Sequence, residues 1–124
     1  MPIADGSIDM VVFMCVTHHL TDDMLNRFWT EANRVLKPAG RFILFDAVYD
    51  AARRVGLLLW KLDRGSNPRT PETLRVFFER HFKVGHWEEF AILHHYVFGI
   101  GHKKSLTPNS ILATPAPPRL GSTA

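Results

Sequence analysis

The sequence is short of three features: it has one cysteine, no long apolar run and no concentrated cluster of positive charge. With Cys15 alone no internal disulfide can form, which fits a reducing compartment, although many secreted proteins also lack disulfides. The apolar runs fall short of the about 20 residues that span a bilayer, and no basic stretch followed by an apolar one opens the chain. We therefore expect neither a membrane span nor a signal peptide, and we predict a cytoplasmic protein.

Positive charge is spread thinly, although the formal net charge of the 124 residues is +3. The densest basic groups are only pairs, at positions 53–54 and 103–104. A nucleic-acid interface needs a concentrated basic face, so this pattern indicates an ordinary solvated surface and predicts no nucleic-acid partner.

The first part of the sequence predicts a strand, an amphipathic helix and a second strand. Residues 8–16 are almost continuously apolar and rich in β-branched side chains, as in a strand covered on both faces of a parallel sheet. Thr21 then offers an N-cap hydroxyl, and residues 38–40, Pro-Ala-Gly, should end the helix. Its apolar positions recur at helical spacing: Leu25, Phe28, Trp29, Ala32, Val35 and Leu36. With residues 41–46 as the second strand, this βαβ unit predicts an α/β fold.

The remainder of the sequence predicts further helices and strands followed by an irregular tail. The elements expected are helices over residues 50–62 and 70–82 and strands over residues 84–90 and 92–102. Because the spacer between those two strands is short, we expect them to pair antiparallel. The aromatic group Phe77, Phe78, Phe82 and Trp87 is expected in the core. Residues 105–124 are rich in Pro, Ser and Thr without periodicity, so we predict a folded domain over 1–104 and a flexible tail over 105–124.

Three fragments occur in a recognisable order: "ADGSIDMVV" leads into the first strand, "THHL" leaves it, and "RVLKPAG" ends the helix before "RFILFD". In this order the sequence resembles the C-terminal half of the class I S-adenosylmethionine-dependent methyltransferases, specifically the type 11 group. The resemblance implies a partial Rossmann-like fold, with parallel strands, a C-terminal antiparallel hairpin and the family's fourth, fifth, seventh and sixth strands side by side. It also implies S-adenosylmethionine as cofactor and methyl transfer to a small-molecule acceptor.

The sequence departs from this family because it lacks the glycine-rich loop and the acidic strand end that hold the cofactor. None of the eight glycines forms such a loop, and position 39 is Ala where the family often has Gly. We therefore expect the isolated chain to be inactive, as a fragment, a truncated product or one partner of a split enzyme. The alternative is a non-catalytic remnant or an interaction module.

The family topology would also leave residues 8–16 at an open edge of the sheet. A long apolar edge strand invites pairing with another chain. We expect either a homodimer or a complementing N-terminal segment to cover this edge.

The resemblance places the cofactor beside two groups of residues. These are Ala4 and Asp5, in a loop that passes near the adenine, and Met14, Cys15, Val16 and Thr17, at the end of the first strand. A simple turn explains Asp5 and the glycine after it equally well. The apolar neighbours of Cys15 should raise the pKa of its thiol, so we do not expect a nucleophile there.

The adjacent histidines His18 and His19 are the catalytic candidates. The resemblance puts them at the substrate mouth, and histidine titrates near neutral pH, so either could act as a general base or contact the substrate, with His19 slightly favoured. The competing interpretation is packing, with one ring beneath the neighbouring helix and the other in solvent. A metal site is not expected, because adjacent residues in a strand point to opposite faces.

Substrate contacts are predicted at Asp46, Arg64 and Arg69. Asp46 ends a strand at the edge where α/β proteins bind ligands, although helix capping would explain it equally well. The guanidinium groups of Arg64 and Arg69 match a carboxylate or phosphate, with a solvated polar loop as the alternative.

Overall fold

The structure is a computed structural model, and it describes residues 2–49, 67–92 and 94–105. Its elements in chain order are β1 (Ile8–Met14), a 3-10 turn (Thr17–His19), α1 (Asp22–Val35), β2 (Leu36–Val48), α2 (Pro71–His81), β3 (Phe82–Ala91) and β4 (His95–Lys103). The predicted helix over 50–62 and all but the first residue of the predicted tail over 105–124 lie outside the described residues. No helix among the described residues is long and apolar enough to cross a membrane.

The four strands form one sheet in the order β1-β2-β4-β3. β1 runs parallel to β2, whereas β4 pairs antiparallel with both β2 and β3. The predicted α/β fold class and the predicted strand order, including the antiparallel hairpin at the C-terminal end, are therefore confirmed.

Helix α1 forms where the N-cap and the apolar spacing predict it. The Thr21 hydroxyl accepts the backbone N–H of Met24 at 3.3 Å, which satisfies one of the free amides of the first turn. Leu25 and Trp29 are fully buried, but Phe28, which we expected on the same face, is 46% exposed.

The strand boundaries differ from the sequence prediction mostly in length. β2 begins at Leu36, directly after α1, instead of at residue 41, because Leu36 is already in extended conformation with ψ 137°. β1 ends at Met14 instead of residue 16. Directly after β1 the backbone turns at Cys15, whose φ is +52°, a left-handed value that a strand cannot continue through.

Both described helices pack on the same face of the sheet, around Trp29. The indole lies edge-on to four phenylalanine rings, with centroids 5.7 to 6.3 Å apart: Phe42, Phe77, Phe78 and Phe82. Edge-to-face contacts of this kind add about 0.5–1.5 kcal/mol per pair beyond the area that they bury. The predicted aromatic core is confirmed, with Trp87 partly buried against it.

The opposite face of β1, here called the open face, is exposed. Met10, Val12 and Met14 are 53%, 52% and 55% exposed, whereas the alternating Val11 and Phe13 pack against the core. The expectation that this strand is covered on both faces was wrong for the described chain. The reason is that α1 and α2 both lie on the side of Val11 and Phe13.

Gly101 in β4 is a test of how tightly this core is packed. A Cβ atom added there would lie 2.7 Å from both Phe78 Cζ and Phe82 Cβ, whereas one added at Gly85 would meet mainly the half-buried His102 ring, at 2.6 Å. We expect Gly101→Ala to lower the free energy of unfolding by about 1–3 kcal/mol, because the two rings have no room to shift. Gly85→Ala is the matched control and should cost less, because His102 can rotate away. Urea denaturation measures both, and equal losses would contradict this account.

Helix α2 ends at a buried histidine, His81. His81 is fully buried, and its Nδ1 lies 2.9 Å from the Phe77 carbonyl, to which it donates a hydrogen bond. Its other ring nitrogen, Nε2, is buried with no hydrogen-bond partner among the described residues. Burial lowers the pKa of His81 from its ordinary value of 6.5, and Arg80 and Lys104 lower it further. The ring is therefore neutral in the folded protein at neutral pH.

Stability should accordingly fall as the pH drops below about 6.5, because there the unfolded state binds a proton at position 81 that the folded state refuses. The loss is at most about 1.4 kcal/mol per pH unit for this one group. We expect His81→Phe, which keeps a ring of similar shape, to flatten the difference in free energy of unfolding between pH 7.5 and pH 5. Parallel pH dependences in the two proteins would show that His81 does not titrate in this way.

Candidate functional site

The candidate site lies at the carboxyl ends of β1 and β2, which meet at one edge of the sheet because the strands are parallel. Asp46, near the end of β2, is fully buried, and its carboxylate reaches across to the loop that follows β1. Oδ2 accepts the backbone N–H groups of Val16 and Thr17 at 3.0 and 2.8 Å. This carboxylate therefore fixes the course of the chain after β1.

The second oxygen of Asp46 orients His18. Oδ1 accepts the backbone N–H of Ala47 at 2.8 Å and lies 3.3 Å from His18 Nδ1. Since a carboxylate oxygen accepts hydrogen bonds, we assign Nδ1 of His18 as the donor in this contact. His18 is itself 5% exposed, so this histidine and carboxylate form a buried pair.

His19 stands beside this pair but in solvent. Its residue is exposed, and its ring centroid lies 4.1 Å from that of His18. One histidine ring is thus buried and the other exposed, which is the arrangement expected if the pair serves packing. Exposure also leaves His19 as the ring of the two that an incoming molecule can reach.

Arg69 holds the same loop from the other side. Nη1 donates to the Thr17 carbonyl at 2.5 Å, and Nη2 donates to the Leu20 carbonyl at 2.8 Å and to Asp22 at 2.7 Å. Nε also donates to Asp22, at 3.1 Å, and the guanidinium lies over the Phe77 ring. Because the protein itself engages all three guanidinium nitrogens of this 7%-exposed residue, Arg69 positions the loop and has no donor directed at a ligand.

Cys15 is the point at which the chain leaves β1. It is exposed, and its backbone N–H donates to the Phe45 carbonyl at 2.9 Å. Partial burial raises the pKa of the thiol above its ordinary value, and the Asp46 carboxylate raises it further. The group stays a neutral thiol at neutral pH, in agreement with the expectation that it is no nucleophile. A non-glycine residue at positive φ stores backbone strain of about 1–3 kcal/mol, and such strain is common at functional sites.

The structure does not bring all of the predicted site residues together. Ala4 and Asp5 precede β1, whereas the loop after β1 lies at the other end of a seven-residue strand, about 23 Å away. Asp5 pairs with Arg34 and the Ala4 carbonyl accepts the Ser7 hydroxyl, as expected for a turn. Arg64 lies outside the described residues. Within the ranges that the structure describes, no three metal-binding side chains form a group.

Two contributors to the site carried no signal in the sequence. Asn67 donates its backbone N–H to the His18 carbonyl at 2.9 Å, and Tyr49 donates to the Arg69 carbonyl at 2.7 Å. Both are backbone contacts between segments far apart in the chain, which residue type does not reveal.

Removing the Asp46 carboxylate should loosen the loop. We expect Asp46→Ala to lower the free energy of unfolding by about 2–3 kcal/mol, because the amides of Val16 and Thr17 lose a shared charged acceptor. Asp46→Asn keeps the shape and one acceptor oxygen and should cost less. Chemical denaturation gives the stabilities, and amide hydrogen exchange at positions 16 and 17 reports the loop directly. Unchanged exchange in Asp46→Ala would contradict the assigned role.

Comparison with families and curated proteins gives one match. Residues 1–44 match a family described as a methyltransferase domain. No curated protein matches the chain significantly.

Solved structures match a much larger part of the chain. A Pyrococcus horikoshii protein is 19% identical with a TM-score of 0.66, covering 84% of this chain and 55% of that one. A SAM-dependent methyltransferase from Methanosarcina mazei is 17% identical with a TM-score of 0.64, at 83% and 62% coverage. Human N-acetylserotonin methyltransferase, solved in complex with SAM, is 17% identical with a TM-score of 0.59, at 78% and 30% coverage.

This chain spans 55% and 62% of the length of the first two of these structures. At such identities the likeness shows the fold, and the family match extends over residues 1–44 only. The chain therefore has the fold of part of the SAM-dependent methyltransferase structures that it matches, and its residues 1–44 are similar to the family described as a methyltransferase domain.

Proposed function

We propose that the chain forms the acceptor-side half of an S-adenosylmethionine-dependent methyltransferase domain that acts on a small molecule. The observation that carries the proposal is the loop over residues 15–19, which Asp46 fixes at the carboxyl edge of β1 and β2. Open α/β sheets bind ligands at this edge. The small acceptor is supported by the name of the human structure, which is an N-acetylserotonin methyltransferase.

The loop after β1 offers apolar side chains to a cofactor but few free polar groups. The backbone N–H groups of Cys15, Val16 and Thr17 already donate to Phe45 and Asp46, so they are not available to a ligand. The exposed side chains of Met14 and Cys15 remain, and these offer apolar contact. Polar recognition of the cofactor would therefore come from groups outside this loop, consistent with the missing glycine-rich loop. Ala4 and Asp5 are left out of the proposed site because they lie at the far end of β1.

Within this site His18 and His19 would have different roles. When bound, S-adenosylmethionine supplies an electrophilic methyl group. His19, exposed at the edge, would contact the acceptor and take the proton that the acceptor loses. His18 is a positioning residue: the buried Asp46 carboxylate holds its ring, and this ring contacts that of His19. Alignment and exclusion of water would supply most of the rate acceleration.

The proposal is tested by titrating the chain with S-adenosylmethionine and following backbone amide signals by NMR. We expect weak, saturable shifts confined to residues 14–19, because a half-site binds without its polar partners. Met14→Lys should abolish them, since it places a charge in the apolar contact. Met24→Lys is the matched control, because Met24 is also exposed, at 42%, but lies on α1. Shifts spread over the surface, or none up to millimolar cofactor, would favour a non-catalytic remnant.

A further inference from the structure

Ion pairs divide the arginine and lysine side chains of the described residues into two groups. In one group each side chain is paired with a carboxylate: Arg27, Arg34, Lys37, Arg69 and Arg75. In the other group no side chain has a carboxylate partner within residues 2–49, 67–92 and 94–105: Arg41, Arg80, Lys83, Lys103 and Lys104. Half of these side chains therefore keep a positive charge without a counter-ion.

The unpaired group lies at one end of the sheet. Strands β2 and β3 begin at this end and β4 ends there, because β4 runs antiparallel to both. Arg41 and Lys83 are each in register with His102, which residues 103–104 follow directly. Arg80 lies in the last turn of α2, just before β3. Folding thus gathers basic residues that occur in the sequence only singly or in pairs, at the end of the sheet opposite the candidate site.

A cavity of about 530 Å³ opens among these charges. Three of its lining residues are the unpaired lysines Lys83, Lys103 and Lys104. The acidic residue of its wall, Glu79, is already paired with Arg75. Pockets that bind small molecules have volumes of about 300–1,000 Å³, so this cavity has the size of a small-ligand site.

Two of the lysines are held in place by backbone carbonyls. Lys103 Nζ donates to the carbonyls of Arg34 at 3.3 Å and Leu36 at 2.8 Å. Lys104 Nζ donates to the Glu79 carbonyl at 2.7 Å. An ammonium group has three N–H donors, so each of these lysines keeps at least one for a ligand. Their charges are thus fixed in position before any ligand arrives.

Capping of helix ends accounts for only part of this positive charge. The accepting carbonyls belong to the C-terminal ends of α1 and α2, and a helix end carries about half a negative charge. The two carboxylates paired with Arg34 exceed its charge and add about one more negative charge nearby. Set against Arg80, Lys83 and residues 103–104, these terms leave roughly two positive charges uncompensated.

We propose that this cavity binds the phosphate group of a small organic phosphate. A phosphate monoester carries about −1.5 to −2 charges at neutral pH, which matches the uncompensated positive charge. Lys83 is exposed and makes no hydrogen bond among the described residues, so its ammonium contacts the phosphate directly. The remaining donors of Lys103 and Lys104 complete the contact, and half-buried Val84 offers apolar surface to the organic part.

The position of the cavity makes this inference independent of the proposed function. The cavity lies at β3, β4 and the end of α2, and the sheet order places β2 and β4 between β3 and β1. Residues 106–124, which follow Ser105 in its wall, contain no aspartate or glutamate. That segment therefore brings no acidic side chain that could neutralise the lysines.

Titration of the 124-residue chain with phenyl phosphate and with inorganic phosphate, followed by backbone amide NMR, tests the site. We expect saturable shifts at residues 83–84 and 103–105 with both probes. Phenyl phosphate should bind more tightly, because its ring contacts Val84. Equal or tighter binding of inorganic phosphate would overturn the assignment to an organic phosphate. Absence of saturable shifts up to millimolar concentrations of both probes would overturn the site itself.

A pair of charge-matched variants tests the role of Lys83. Lys83→Gln should weaken phenyl phosphate binding about fivefold or more, because it removes a charged donor to the phosphate without breaking an internal hydrogen bond. Arg27→Gln is the matched control: Arg27 is 79% exposed on α1, far from the cavity, and its loss should change the affinity less than about twofold. Equal effects of the two variants would show a general charge effect and contradict the site. An RNA oligonucleotide that shifts residues 83–84 and 103–105 when phenyl phosphate does not would also overturn the proposal.

Discussion

The carboxylate of Asp46 is the interaction on which the candidate site depends. It is fully buried, and four donors surround it: the amides of Val16, Thr17 and Ala47 and the ring of His18. A buried charge without such partners would cost several kcal/mol, so the loop after β1 and the end of β2 must form together. The same loop is held from its other side by the Arg69 guanidinium. Asp46 and Arg69, which the sequence predicts as substrate contacts, thus mainly support the loop after β1.

The residues that support the loop are different from the residue that is accessible to a ligand. Asp46 and Arg69 make most of the hydrogen bonds at the site, and these bonds hold the backbone of the loop. His19 is exposed and can contact a ligand. The strained backbone at Cys15 fits this picture, since the loop is held in place by contacts stronger than the strain. The loop is therefore held by several hydrogen bonds, and His19 is its exposed polar ring.

The aromatic core decides which surface remains open. Trp29 gathers phenylalanines from β2, α2 and the start of β3 on one side of the sheet, so the described helices leave the other side of β1 uncovered. Met10, Val12 and Met14 are exposed on that side. One-sided packing thus leaves the apolar open face of β1 uncovered among the described residues.

Much of the fold was determined by local sequence. The Thr21 cap, the spacing of Leu25 and Trp29 and the apolar run before "THHL" locate the first helix and the strand before it, because capping and periodicity act between near neighbours. Strand ends were less predictable, since tertiary pairing extends β2 back to Leu36 and ends β1 at Met14. Only the tertiary structure could decide that Asp46 and Arg69 hold the loop, that His18 is buried while His19 is exposed, and that one face of β1 is open. Those outcomes depend on contacts between residues about 30 to 50 positions apart, whose meeting no local pattern encodes.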